Sequence, residues 1–267
     1  MSNELSENGT HLSHTELRLL LHPLQALIYH LNKSLIYFLS SGSQRLIQRL
    51  LTQLEELQYL LKQWYTLSTK ALQLQTGPPE TGYCNLVMFH LINLNAITYF
   101  PDIERLARGE ISIDRFRESL WAGKRCAEEA AQIWAHCGQV IRYYRLMLPS
   151  KRPYWWSAAI YRVALCMCAT SLATRSSSAV STGTSSSNCD EHIAMDLLPF
   201  DHPSIVRYLR HQDALPTFSQ SDRTLVLLES PVDIITHCIS VLKEKAPSSQ
   251  LDQGIGARLS AFAGRWR

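Results

Sequence analysis

The stretch from Trp155 to Thr174, WWSAAIYRVALCMCATSLAT, decides the fold. It is nearly all apolar around every side of a helix, and Pro149 and Pro153 enclose a tight corner just before it. It therefore reads as a helix at the centre of a core, because a surface helix would carry one apolar stripe and one polar face. Arg162 stands at its middle. The other long apolar run, Leu86 to Phe100, is interrupted by His90, Asn93 and Asn95 and is shorter than the roughly 20 residues that span a bilayer. Neither stretch reads as a membrane span.

Upstream, apolar residues recur at steps of three and four. Pro23 as a helix start, followed by Leu24, Leu27, Ile28, Leu31, Leu35 and Phe38, predicts a first amphipathic helix that Ser40-Ser41-Gly42 ends. From about Gln44, Leu46, Leu50, Leu54, Leu57, Leu61 and Trp64 form one stripe of a second helix, and so short a turn predicts an antiparallel hairpin. The stripe suits core packing within the chain, or a dimerising coiled coil. Gly77-Pro78-Pro79 breaks the chain, and Tyr83 to Phe100 is predicted as a separate helix that Pro101 stops. Ser112 as N-cap and Asp114 in the first turn open a predicted long helix carrying Phe116, Leu120, Ala127, Ala130, Trp134, Cys137, Ile141, Tyr144 and Leu148, with Gly123 or Gly138 as points of bending or division.

Downstream, Ser176 to Ser187 holds seven serines in twelve residues and reads as a flexible loop. Beyond it come a short segment at Ile205 to Leu209, a helix from about Pro231 to Lys245, and a terminal amphipathic helix through Leu259, Phe262 and Trp266. Valine and isoleucine are not gathered into alternating runs. The expected class is all-α, an irregular multi-helix bundle with a central hydrophobic helix and a serine-rich loop. Its expected organisation is a disordered leader over 1–14, a helical core over 15–175, the loop over 176–192, and a helical part of the same domain over 193–267.

With 267 residues, 46% of them hydrophobic and 18% charged, the chain has the material for a large core. A net charge of +3 is far from the basicity of a dedicated nucleic-acid-binding domain. Cys84, Cys126, Cys137, Cys166, Cys168, Cys189 and Cys238 are odd in number and irregularly spaced, as in reduced, buried thiols of an intracellular protein. The polar, acidic stretch Met1 to Thr10 lacks the features of a secretory signal.

The soft ligands at His136-Cys137, Cys166-x-Cys168, Cys189-Asp190-Glu191-His192 and His237-Cys238 invite a test for metal binding. On one long helix Cys126 and Cys137 would share a face about 16 Å apart, and Cys166 and Cys168 would point about 200° apart, so neither pair holds one ion. No zinc-finger spacing, G-x-S-x-G elbow, phosphate-binding glycine loop or H-E-x-x-H motif is present. Glu128-Glu129 and Asp102-x-Glu104 read as solvated helix faces. Arg142, Arg145, Lys151 and Arg152 interleave with Tyr143, Tyr144, Tyr154, Trp155 and Trp156 as in single-strand binders, but a structural use is expected: Arg152 or Lys151 stacked on a tryptophan, and Arg145 at the carbonyl end of the preceding helix. No catalytic, cofactor-binding, metal-binding or DNA-binding residue is expected.

From His136-Cys137-Gly138-Gln139 through Arg152-Pro153-Tyr154-Trp155-Trp156 to Tyr161-Arg162 and Leu165, the sequence closely resembles the fungal-specific transcription factor domain, or middle homology region. Tyr99 to Glu110, His202 to Arg210 and the closing Asp252-x-Gly254-Ile255 with Arg258-Leu259 resemble it too. The resemblance runs from about Leu17 to the last residue, and its structural signature is His136, Cys137, Gly138, Gln139, Pro153, Trp155, Trp156, Tyr161 and Arg162. It implies a nuclear, non-catalytic module that regulates transcription. In that family zinc and DNA contact belong to preceding fingers, which are expected to be missing here, so no cofactor is expected on this chain. Expected partners are proteins, a second copy, or an unidentified small-molecule effector, with no DNA contact and no membrane. The rival readings are a helical enzyme acting on a hydrophobic small molecule and a stand-alone dimerisation scaffold.

Overall fold

A computed structural model of the chain describes residues 12–74, 77–119, 122–174, 191–222, 224–244 and 249–266. Among them are eleven α-helices and one small three-stranded sheet, so the predominantly all-α class holds. Two compact units, 1–92 and 93–267, divide within the third helix. The leader up to residue 11, the serine-rich stretch Ser176 to Ser187, Leu120, Cys189 and Asp190 lie outside the described residues.

In the first unit, α1 spans His14–Ser41 and α2 spans Gln44–Gln73. Pro23 does not start α1 but lies inside it. A capping box supplies the true start: Ser13 Oγ accepts from Glu16 N, and the Glu16 carboxylate accepts from Ser13 N at 2.7 Å. Two satisfied end groups, at Ser13 and Glu16, ten and seven positions before Pro23, thus outweigh the preference of proline for a first turn. Gly42 ends the helix at φ 72°, a left-handed conformation that glycine adopts without Cβ strain, and the antiparallel hairpin follows. Leu54, Leu57, Leu61 and Trp64 are buried, facing Leu17, Leu21, Ile28 and Leu35, and the Trp64 indole N–H donates to Leu17 O at 2.7 Å. The helix α3, Pro79–Ile97, begins four residues earlier than expected. It joins the hairpin through Asn85, which donates to His14 O at 2.7 Å and accepts from Arg18, and through Phe89, stacked on Trp64.

Pro101 does not stop α3, which has already ended at Ile97. It sits instead in the first turn of α4, Phe100–Arg108, where its missing N–H costs nothing. The long helix expected from Ser112 is three: α5 Ile113–Glu118, α6 Ala122–Glu128 and α7 Ala130–Leu146. Gly123 makes the first corner possible, since a Cβ there would lie 2.1 Å from Phe116 O. After a short 3₁₀ turn at Pro149–Lys151, α8 runs over Trp156–Thr174. It packs against α4, α5, α6 and α7, and against α10 (Pro231–Lys243) and α11 (Gln250–Arg265). Among the described residues α8 is the one helix long and apolar enough to cross a bilayer, and most of it is buried by this ring of helices.

The sheet is β1 His192–Ala194, β2 Leu215–Ser219 and β3 Leu225–Leu227, with α9, Pro203–His211, between the first two strands. β1 and β2 pair in parallel with Ile193 opposite Pro216, and β2 and β3 pair antiparallel with Phe218 opposite Val226.

Candidate regulatory site

The signature segment on α7 works as a cradle. Gly138, Gln139, Arg142 and Arg145 fall on one side of the helix and meet the turn after β1. Gly138 does not bend α7: a Cβ there would lie 2.5 Å from Met195 Cβ and 2.6 Å from Met195 O, so the bare Cα is what lets the turn seat. Gln139 Nε2 donates to Met195 O at 3.0 Å and Leu198 O at 2.8 Å, and Arg142 Nε donates to Leu197 O. Gly138→Ala is expected to lose about 1–3 kcal/mol by overpacking even though alanine favours the helix, a loss that a thermal melt of the variant reads directly.

Arg145 is the hub beneath that turn. Its guanidinium donates to the Asp196 carboxylate, to Ser219 Oγ at 2.6 Å and Ser219 O at 2.9 Å, and as a two-pronged fork to Glu244 at 2.8 and 2.9 Å. Asp196 is completely buried and also accepts from Ser219 N at 3.0 Å and Ser219 Oγ at 2.8 Å. One cation therefore ties α7, the 195–198 turn, β2 and the end of α10 together. The expectation that Arg145 neutralises the carbonyl end of a helix is corrected: two carboxylates outcompete partial charges. Burial raises Asp196 above the usual carboxylate range despite Arg145 and Ser219. Beside the hub, burial first and then the Arg145 charge hold His237 down at about 4, with Glu244 opposing.

Around the corner before α8, Arg152 stacks on the ring of Tyr144 at 3.7 Å, not on a tryptophan, and Tyr144 in turn stacks on Trp156 at 5.2 Å. Tyr144 Oη donates to Leu242 O. Tyr144, Arg152, Pro153, Trp156 and Asp252 line an open groove of about 390 Å³. Trp155 tilts against Trp156 at 5.8 Å between ring centres. His136 is buried and stacked on Phe200 at 4.8 Å, and burial lowers its imidazole to about 3. Arg162 lies over Phe100 at 4.3 Å, and Tyr161 Oη reaches Glu104 at 3.4 Å.

Cys126 and Cys137 stand on separate helices, α6 and α7, which corrects the single-helix reading of their spacing. Burial raises the Cys137 thiol, and neighbouring Cys166, Cys238, Cys126 and Cys168 raise it further. Burial lifts Cys166 to about 11 and Cys238 to about 12, so both are protonated at neutral pH. Glu191 pairs with Arg207, and His192 is exposed on β1. Among the described residues no group of three or more histidines, cysteines or carboxylates is arranged to hold a metal ion. Glu129 pairs with Arg125 at 3.1 Å and Asp102 with Arg105 at 3.1 Å.

Asp196, Ser219 and Glu244 were not singled out from the sequence. The one available signal was Asp196 itself, a carboxylate set between Met195 and Leu197-Leu198.

No protein-family model matches the chain. No solved structure matches it either. The chain is 36% identical to Transcription factor 1 of Elsinoe fawcettii over 97% of its own length and 27% of that protein. It is 30% identical to Transcription factor PfmaH of Pestalotiopsis fici over 100% of itself and 28% of that protein. A transcription factor of Zymoseptoria tritici is 35% identical over 98% of this chain and 29% of its own length. The chain thus spans between a quarter and a third of the length of these curated relatives, and its similarity to fungal transcription factors runs along nearly all of it.

Proposed function

We propose that the chain is a regulatory, helical, non-catalytic module of a fungal transcription factor, acting in the nucleus without itself contacting DNA. The observation that carries this reading is end-to-end similarity to proteins named transcription factors, of which it matches only a part. Zinc and DNA contact belong, on this reading, to fingers elsewhere in such proteins, in keeping with the middle homology region that the sequence resembles. The cations that would suit phosphate support it: Arg145, Arg152 and Arg162 are engaged by carboxylates or rings of their own unit. Its partners are other proteins, a second copy, or a small-molecule effector, any of which shifts a two-state element by binding one state more tightly. The element best suited is the Arg145 hub, which couples four segments through one side chain.

Two measurements test this. Fused to a heterologous DNA-binding domain in a yeast reporter strain, the chain is expected to change reporter output, and Arg145→Met to abolish that change. Purified alone, it is expected to give no sequence-specific gel shift at physiological salt. A fusion indistinguishable from the DNA-binding domain by itself, or a tight specific shift from this chain, overturns the reading.

A further inference from the structure

We infer that α11 is a releasable arm: it lifts off and unwinds while the rest of the 93–267 unit stays folded, and two glycines set how often it does so. This concerns the mechanics of one unit and stands whether or not the transcriptional reading holds.

The sequence of α11, QLDQGIGARLSAFAGR, is a weak helix former. Gly254 and Gly256 lie in its interior, where each lowers the helical equilibrium about fivefold relative to alanine. A fold keeps a glycine for a left-handed backbone or for a close approach. Neither reason holds here. Among the described glycines positive φ occurs at Gly42 and Gly109, and a Cβ built at Gly254 or Gly256 meets nothing within 4 Å. Gly123 and Gly138 show the contrast, since a Cβ there would lie 2.1 and 2.5 Å from its nearest neighbour. Where residues break a local rule with no packing gain, the compensation is sought in function, and what these two supply is lability.

Packing does not make up the difference. Of its 16 residues α11 buries two, Leu259 and Phe262, whereas α10 buries seven of 13. Both anchors belong to the C-terminal half. So do Arg258, over the Tyr161 ring at 5.3 Å, and Arg265, whose Nη1 donates to Arg108 O at 2.7 Å at the end of α4. Phe262 itself tilts against Tyr161 at 6.4 Å between ring centres. The N-terminal half instead borders two open grooves. One, of about 480 Å³, runs along Ile239, Leu242 and Gly256; the other, of about 390 Å³, lies between Trp156 and Asp252. The capping box there, with Ser249 Oγ accepting from Asp252 N at 3.1 Å and Asp252 accepting from Ser249 N at 2.9 Å, is internal to the arm.

These features make opening a single event. Isolated helices of this length are marginal in water even when rich in alanine, so an α11 that loses its two anchors loses its helix as well. Opening stops at Glu244, which the Arg145 fork pins at the end of α10. It uncovers Leu242 on α10 and Tyr161 on α8, together with the α4 carbonyls that Arg265 had capped. A partner that binds the open form has its affinity reduced by the fraction of chains that are closed, so the two glycines set that affinity.

Native-state hydrogen exchange of the whole chain, in urea far below the main transition, tests this. Amides from Leu259 to Ala263 are expected to exchange at least about a hundredfold faster than those from Leu165 to Ala169 in α8, with a smaller dependence on urea. Gly254→Ala with Gly256→Ala is expected to slow all of the 259–263 amides together, by about twentyfold, although Phe262 is six positions beyond the nearer glycine. Phe262→Ala, which removes an anchor, is expected to speed the same amides at least about tenfold. Amides of α11 that exchange in step with those of α8 would overturn the inference. An alanine pair that slows only its immediate neighbours, or a loss of Phe262 that leaves the rates unmoved, would do the same.

Discussion

Arg145→Met is expected to lower the stability of the 93–267 unit by about 3–5 kcal/mol, roughly 10 °C in melting temperature, the largest loss from any single side chain in the hub. The cost comes from what remains. Asp196 is completely buried and Glu244 nearly so, and without the guanidinium both carboxylates stay out of water with no cation beside them. Asp196→Asn in the Arg145→Met background is expected to recover part of the loss, because an amide has no charge to desolvate while it still accepts from Ser219. The pH dependence has a definite sign. In the wild type burial already raises Asp196 above its unfolded value, and loss of Arg145 raises it further. A raised carboxylate contributes stability below its unfolded pKa and loses it as pH rises through the folded one. The deficit of Arg145→Met should therefore be smaller near pH 5 than near pH 7.5, as read by urea melts of wild type and variant. An equal deficit at both pH values would show that Asp196 is not the group left exposed to the field.

The central helix was legible because a helix apolar on all sides can only be surrounded, and α8 is. The hairpin was legible because its leucines keep a helical period over 30 residues in α2 alone. Start signals misled where two competed: Pro23 and Pro101 each carry the same preference for a first turn, but only Pro101 lacks a better cap upstream. The sheet escaped because its strands have three, five and three residues, too few to show alternation, and one contains Pro216. The hub escaped for a different reason. Arg145 reaches Asp196, Ser219 and Glu244 across 51, 74 and 99 positions, and no local pattern encodes such a contact. The role of Gly138 was misread on the same ground, since its neighbour Met195 is equally remote in sequence.

Acid should weaken the same unit through two imidazoles, and this is the second large effect. His136 and His237 are buried and held uncharged, at about 3 and about 4, by burial, with the Arg145 charge adding to it at His237. Unfolded, each takes up a proton near 6.5. A lowered histidine contributes its full stability above the unfolded value and loses it as pH falls from there toward the folded one. At pH 5 the loss is about 2 kcal/mol for each ring, roughly 4 together, out of a total stability that is commonly only 5–15. His136→Asn with His237→Asn should therefore start lower at pH 7.5, having lost the stacking of His136 on Phe200 and the edge contact of His237 with Phe218, yet fall more slowly with acid than the wild type. Urea midpoints collected from about pH 7.5 to 5 give both curves. Parallel curves would mean the rings are protonated in the fold or reach solvent, and neither is compatible with a sealed core between α7, α10 and the sheet. The two effects oppose each other at the hub: acid relieves an unpaired Asp196 but favours the unfolded chain, where His237 takes up a proton, so the Arg145→Met variant should show its stability maximum shifted toward acid and flattened relative to wild type.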